Sequence, residues 1–356
     1  MKKVLLGISG GVDSSVAAFL LKNQGYDVTG VTLNMFSPDA LAKPELYHDA
    51  SSDAQKCAEI IGIDFLRLDV SNHFKKYVTD DFIAQYLKGA TPNPCVVCNI
   101  HIKFGVMLDF AMNNGFDYIA TGHYAKIENK NARYLLKRPD ITEKEQTYVL
   151  WGLNQKQLAH TLFPLADLPK SRIREIAASI NLPSSNKKDS QDICFVPDKK
   201  YADFIQKHCG DKIEAGSFVD ENGNFLGTHR GIVNYTLGQR KGLGIALGKP
   251  AFVVCKNADN NTVTLSDEDK LFTDNFSIKN TNWILFENPQ KFLKAFVKTR
   301  YSQKQTECIV EKGENGCFNV SCCEKIRAVT PGQSAVFYDE NGYVIGGGII
   351  MDNNTA

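Results

Sequence analysis

The stretch Lys3-Val4-Leu5-Leu6-Gly7-Ile8-Ser9-Gly10-Gly11-Val12-Asp13-Ser14-Ser15 decides the fold. Its short apolar run predicts a buried parallel strand, and Val16 to Leu21 predicts a helix that starts directly after the Ser-Gly-Gly turn. Between the two lies a phosphate cradle. Gly10 and Gly11 let the backbone turn tightly and approach an anion, while Ser9, Ser14 and Ser15 add hydroxyl donors beside the free N–H groups of the helix start. Asp13 is out of place beside phosphates unless a cation lies between, so it reads as a Mg²⁺-facing carboxylate. No Gly-Lys-Ser/Thr follows the glycines, which excludes the Walker loop.

Working outward, 356 residues exceed one ordinary domain and predict two or three. With 41 basic and 40 acidic residues the net charge is +1, so total charge names no partner and a nucleic-acid surface must be a local patch. Met-Lys-Lys runs straight into the strand, and no apolar run reads as long enough to span a bilayer, so a cytoplasmic location without membrane is expected. Ten cysteines in such a chain argue for thiol chemistry or metal rather than a disulfide framework. Cys57, Cys255, Cys308, Cys317, Cys322 and Cys323 read as small buried hydrophobes.

Tyr26 to Leu33 predicts a second parallel strand whose end, at Leu33, lies near a nucleotide base. Asp49 to Ile61 predicts an amphipathic helix with Ala54, Cys57, Ala58 and Ile61 on one face, and Asp64 to Val70 a third strand. A helix around Tyr77 to Tyr86 leads to Thr91-Pro92-Asn93-Pro94-Cys95-Val96-Val97-Cys98-Asn99. Its prolines impose extended backbone, after which Cys95 and Cys98 share a face one turn apart, and a helix N-terminus lowers a thiol pKa. Phe104 to Asn114 predicts another helix, and Tyr118 to Tyr124 a strand in which Gly122 permits close approach to a ligand. A helix from Ser171 to Ile180 carries Arg172 and Arg174 as an exposed basic face, and Cys194 follows in a polar loop downstream of Lys187 and Lys188, a setting for an exposed thiolate. From about Tyr201 the pattern turns to short strands, with a hairpin over Gly216 to Gly227 and a basic, glycine-rich loop at Gly238 to Gly244. Strands near Ala295 to Arg300, Glu307 to Glu311, Ser334 to Tyr338 and Tyr343 to Ile350 predict a small β-barrel. The fold class expected is therefore α/β, a doubly wound parallel sheet (1–200) followed by a small β-rich central domain (201–275) and a C-terminal β-barrel (276–356).

The Ser-Gly-Gly-x-Asp-Ser loop resembles that of the ATP pyrophosphatases, the adenine nucleotide α-hydrolase-like enzymes that grip the pyrophosphate of ATP. Seven further segments extend the likeness: Asn93-Pro94-x-x-x-Cys98-Asn99, Thr121 to Ala125, Lys144-x-Gln146-x-Tyr148, Lys187 to Phe195, Gly238 to Leu243, Arg300-Tyr301 and Ala328 to Gln333. In this order they resemble the bacterial tRNA-specific 2-thiouridylases, over nearly the whole chain. That resemblance implies ATP-dependent conversion of the wobble uridine of tRNA to 2-thiouridine, with Mg²⁺ at the pyrophosphate. It implies ATP contacts at Gly7, Ile8, Ser9, Gly10, Gly11, Val12, Asp13, Ser14, Leu33 and Gly122. Cys194 would receive sulfur as a persulfide from an upstream donor protein, and Cys98 would complete the exchange, ending in a Cys98–Cys194 disulfide. The anticodon arm would meet Asn93, Pro94, Cys95, His123, Lys144, Glu145, Gln146, Arg300, Tyr301 and Gln333, with the basic helix near Arg172 and the loop at Arg240 and Lys241 as backbone contacts and no role for DNA.

Two positions depart from the family pattern, Cys95 and Glu145, where many members carry Asp. The first adds a third thiol, so Cys95, Cys98 and Cys194 offer an alternative reading as ligands of a [4Fe–4S] cluster. Other ATP pyrophosphatases, including the enzyme making 4-thiouridine and amide-forming ligases, are rival readings, as is a tRNA-binding module with an inactive nucleotide site. A ligase would not need Cys98 or Cys194.

Overall fold

The computed structural model describes residues 1–47, 49–183, 193–198, 200–210 and 213–352. Lys187, Lys188 and the rest of 184–192 lie outside the described residues. Two compact units emerge, one of Met1–Val78, Cys95–Pro197 and Asn341–Val344, the other of Thr79–Pro94, Asp198–Glu340 and Ile345–Ala356.

In the first unit the chain runs β1 (Lys3–Gly7), α1 (Val12–Asn23), β2 (Asp27–Asn34), α2 (Ala50–Ile61), β3 (Asp64–Asp69) and α3 (Ser71–Phe74). After α4 (Asp80–Leu87), a member of the second unit, come α5 (Pro94–Cys98), α6 (Met107–Asn113) and β4 (Tyr118–Ala120). A hairpin of β5 (Lys126–Lys130) and β6 (Arg133–Lys137) precedes α7 (Gln155–Ala159), β7 (Thr161–Leu162) and α8 (Lys170–Ser179). The sheet order is β3-β2-β1-β4-β7 and every pairing is parallel. The chain thus steps outward from β1 in one direction and returns to the other side of β1 with β4. Their carboxyl ends open the crevice in which doubly wound sheets bind ligands, and they carry the Ser9 loop and Gly122.

Local sequence accounts for these elements. Val4, Leu5 and Leu6 have no solvent exposure, because a parallel strand is covered on both faces. Asp49 caps α2 by accepting from the Ser51 N–H (2.9 Å), and Gly62 ends it in the left-handed region at φ 72°. Ala54, Cys57 and Ile61 of α2 join Val16, Ala17 and Leu21 of α1 and Ile173 and Ala177 of α8 in one core.

The structure corrects three expectations. Helix 94–113 is continuous rather than broken between its cysteines and Phe104, and Asn99–Val106 is wound as π-helix between α5 and α6. By length and composition this helix is apolar enough to cross a membrane, contrary to the reading that no run was. Its Val96, Cys98, Ile102, Phe104, Met107 and Ala111 are buried in the unit's own core. The strand expected from Tyr118 to Tyr124 stops at Ala120.

The second unit contains α4, α9 (Tyr201–Cys209) and a four-stranded sheet built from β8 (Gly216–Val219), β9 (Phe225–His229), β10 (Phe252–Asn257) and β11 (Thr262–Ser266) in the order β10-β11-β8-β9. It also holds a closed barrel of β12 (Phe272–Trp283), β13 (Phe292–Lys298), β14 (Thr306–Lys312), β15 (Phe318–Arg327), β16 (Ser334–Tyr338) and β17 (Val344–Ile350). Inward residues such as Phe276, Ile278, Val297, Val310, Val320 and Phe337 fill the barrel.

Candidate active site

The turn from β1 into α1 is self-tied. Ser14 Oγ accepts from the Ser9 N–H (3.1 Å), lies 3.2 Å from Ser9 Oγ and reaches the Gly11 carbonyl (3.3 Å), which also accepts from Ser15 Oγ (2.9 Å). The serine hydroxyls expected to face an anion bond within the loop. Gly11 is the N-cap of α1 and no side chain caps it, so the helix's first N–H groups have the chemistry that anions seek.

Glycine is required twice. A Cβ on Gly10 (φ 69°) would fall 2.7 Å from Asp53 Cβ, and one on Gly122 would fall 2.9 Å from the Ser14 nitrogen. Gly122 therefore permits close approach to the loop.

Asp13 has a cation beside it, as its position demands, but that cation belongs to the protein. Lys170 Nζ, on a nearly buried side chain at the start of α8, donates to both carboxylate oxygens (2.7 and 2.9 Å), and the Tyr124 hydroxyl adds a third bond (2.8 Å). Both oxygens of Asp13 bond Lys170, and the carboxylate ties the loop to α8. Lys170 escaped sequence reasoning because the basic face around it read as solvated surface. Arg172 does lie there, paired with Glu175 (2.8 Å).

The three thiols form a second centre. Cys98 is buried, while Cys95 and Cys194 reach solvent although protein crowds them on most sides. That crowding pushes Cys98 up to about 11 and Cys194 up to about 12, and raises Cys95. The thiols act on one another, which brings Cys98, Cys95 and Cys194 together in one place, and Lys103 pulls against the rise at all three. The expectation of thiolates at neutral pH is thus reversed. A five-residue α5 and nearby lysine do not offset the lost hydration. The turn carrying Cys194 is anchored by buried Phe195, whose ring packs edge-on against Phe74 at 5.7 Å.

The matching families are the tRNA methyl transferase HUP domain over residues 2–198, the tRNA methyl transferase PRC-barrel domain over 202–267 and the aminomethyltransferase beta-barrel domain over 273–350. The chain is 47% identical over 357 residues to tRNA-specific 2-thiouridylase MnmA 1 of Clostridium tetani (strain Massachusetts / E88), covering 98% of this chain and 96% of that one. It is 48% identical over 354 residues to tRNA-specific 2-thiouridylase MnmA of Clostridioides difficile (strain 630), covering 98% of each. The chain belongs to the tRNA-specific 2-thiouridylase family.

The remaining candidate residues of this 2-thiouridylase family member are dispersed. Leu33 closes β2, half-buried. His123 is buried between Phe104 and Phe163 and bonds Thr121 Oγ1 at 2.7 Å, so its ring faces protein. Burial, helped by Lys103, holds it well below the ordinary imidazole range and therefore neutral. Glu145 is also buried and accepts from the Thr147 N–H (2.6 Å), Lys144 is half-buried, and Gln146 Oε1 accepts from the Tyr124 N–H (3.1 Å). In the second unit Arg300 donates to the Ala328 carbonyl (3.0 Å) and Thr330 Oγ1 (2.8 Å), while Tyr301 is exposed. Gln333 Nε2 donates to the Thr91 carbonyl (2.6 Å) and the Thr91 N–H to the Pro331 carbonyl (2.9 Å), holding the extended segment through half-buried Asn93 and buried Pro94 that enters α5.

Among the described residues no group of three His, Cys, Asp or Glu side chains is set to hold a metal ion. The [4Fe–4S] alternative would use the sulfurs of Cys95, Cys98 and Cys194, whose protons the binding of iron would have to displace.

Proposed function

We propose that the chain thiolates C2 of the wobble uridine of tRNA at the expense of ATP, giving 2-thiouridine, AMP and pyrophosphate. The carrying observation is that Cys98 and Cys194, 96 residues apart in the chain, interact within the unit that also holds the anion-ready start of α1. Gly122 and His123 link the two centres: the first touches the loop at Ser14, and the second feels the charge of Lys103 that reaches all three thiols.

In this reading the uracil O2 attacks the α-phosphorus of ATP and pyrophosphate leaves, so that a poor leaving group becomes AMP. The terminal sulfur of a Cys194 persulfide attacks C2 and expels AMP. Cys98 then attacks Cys194 Sγ, breaking the sulfur–sulfur bond to leave the thiocarbonyl on the base and a Cys98–Cys194 disulfide, which a two-electron reductant reopens. The alternative, in which Cys98 attacks the persulfide first and frees hydrosulfide, ends in the same disulfide. Mg²⁺ supplies charge neutralisation at the pyrophosphate when bound with ATP. The partners in this reading are the anticodon arm of tRNA, with its base flipped out, and a cytoplasmic persulfide donor protein. Domains at 1–200, 201–275 and 276–356 complete the assignment, with ATP contacts at the loop, Leu33 and Gly122, and tRNA contacts at the residues set out above.

Incubating unmodified tRNA with the enzyme, ATP, Mg²⁺, a persulfide as the sulfur source and a dithiol reductant, followed by nucleoside mass spectrometry, tests this. One AMP per 2-thiouridine formed is expected. AMP release without thiolated nucleoside, or thiolation unaffected when Cys98 or Cys194 is replaced by alanine, would overturn it.

A further inference from the structure

The cysteines of the C-terminal barrel take no part in the chemistry described so far, and the strand register sets two of them opposite each other. β14 and β15 run antiparallel with Cys308 opposite Cys322, Ile309 opposite Ser321 and Val310 opposite Val320. Directly opposed residues of an antiparallel pair point to one face of the sheet, and here that face is the inner one. Cys308 is fully buried in the barrel core, and Cys322 packs against the same core while half-buried. Cys323, expected among the buried cysteines, turns outward and is exposed. Opposed residues have Cα atoms about 4.5–5.5 Å apart, within the roughly 4.4–6.8 Å that a disulfide spans without moving the backbone. Both thiols are free.

The pair also marks the point where β15 parts from its neighbours. Cys308 and Cys322 form the last rung of the ladder between β14 and β15. On its other side β15 pairs with β12 at Ser321, opposite Asn275, and again at Ile326, opposite Thr273. Between those rungs Cys322, Cys323, Glu324 and Lys325 face the single residue Asp274, a bulge that interrupts the ladder. Cys322 is thus held in register by one strand and opened toward solvent by the other.

We propose that Cys308 and Cys322 are an oxidation site, closed by low-molecular-weight disulfides into a cross-strand bond that staples the barrel where β15 leaves its ladders. The Cys322 thiolate attacks one sulfur of the small disulfide, forming a mixed disulfide and expelling one thiolate. Cys308 then gives up its proton and attacks Cys322 Sγ, forming the Cys308–Cys322 bond and expelling the second thiolate. The protein dithiol loses two electrons, the small disulfide gains them, and a dithiol reductant reverses the exchange. Burial raises both thiols, Cys322 to about 11, so the reduced pair rests as thiols and closes slowly. The closed bond bridges the strands on either side of the turn that Gly313 and Cys317 tie (3.0 Å) and restricts the unfolded chain there, which stabilises the barrel. The inference stands apart from Cys98 and Cys194 and does not depend on the thiolation reading.

The test equilibrates the full-length protein with hydroxyethyl disulfide at mildly alkaline pH, blocks remaining thiols with iodoacetamide and digests with trypsin without reduction. The expected product joins residues 305–312 to 313–325, with fragment ions that place the bond at Cys322 rather than at Cys317 or Cys323. Thermal unfolding of the oxidised protein should shift upward by ~4 °C, and the shift should disappear on reduction. C323S should keep the bond and the shift, whereas C322S should lose the bond and the increment that depends on it. If the serine variant does not fold, C322A is read in its place. No linked peptide, a bond from Cys308 to Cys317 or Cys323, or a full shift retained without Cys322 would each overturn the proposal.

Discussion

The two reactive centres of the α/β unit handle charge in opposite ways. At the Ser9 loop the carboxylate of Asp13 is matched by Lys170 and steadied by Tyr124, so the resting protein is electrostatically closed there. At the thiols burial pushes Cys98 and Cys194 up, and Lys103 pulls against the rise. A closed pair keeps a loop in shape before an anion arrives, whereas burial holds the thiols neutral. The lesson is that one site is built around its own salt bridge and the other around desolvated, neutral thiols.

The sharpest way to break this comparison is to remove a thiol. Cys194→Ala and Cys98→Ala should each reduce 2-thiouridine formation by at least ~10³-fold while both proteins still bind ATP, as measured by calorimetry. Loss of ATP binding in either would mean that the two centres are not separable. Lys170→Met strikes the other side and strands Asp13. A destabilisation of ~1–3 kcal/mol in urea is expected, reduced from the fully buried case because Asp13 is partly hydrated, and Asp13→Asn added to it should recover part of the loss. Equal stability of single and double variants would show that the pair is not coupled. Gly122→Ala should cost ~1–2 kcal/mol by pressing on Ser14 and should raise the KM for ATP without altering thiol alkylation.

The smallest effect lies away from both centres. The Tyr343 hydroxyl, with Lys130 and Lys137, holds the Glu128 carboxyl down to about 2. A lowered carboxylate contributes stability above its unfolded value of ~4.3 and loses that contribution as pH falls toward about 2. Tyr343→Phe should therefore be less stable than wild type at pH 6, and the two should converge on acidification, with thiolation unchanged throughout.

What could be read in advance was whatever a few neighbouring residues determine. The apolar run of β1, the glycines of the loop and the one-sided apolar face of α2 state their own structure. Lys170 could not be read this way, because its partner lies 157 positions earlier and only tertiary folding turns its side chain inward. The same holds for Gln157, whose Nε2 donates to the Ile100 and Phe104 carbonyls of a helix more than fifty residues before it. The thiol pKa direction was misjudged because spacing records the benefit of a helix end, whereas desolvation depends on the surrounding fold. Two barrel strands, Phe318–Arg327 and Phe272–Trp283, were missed since they carry charged and polar residues on their outward faces.

The hold of Pro331 and Gln333 on Thr91 has a practical corollary for anyone shortening this chain. A fragment cut before residue 276 would keep all three reactive cysteines yet release the backbone that delivers the first of them into its helix. The last eighty residues thus help to fix the segment that leads into Cys95, and truncation should cost catalysis even on substrates too small to touch them.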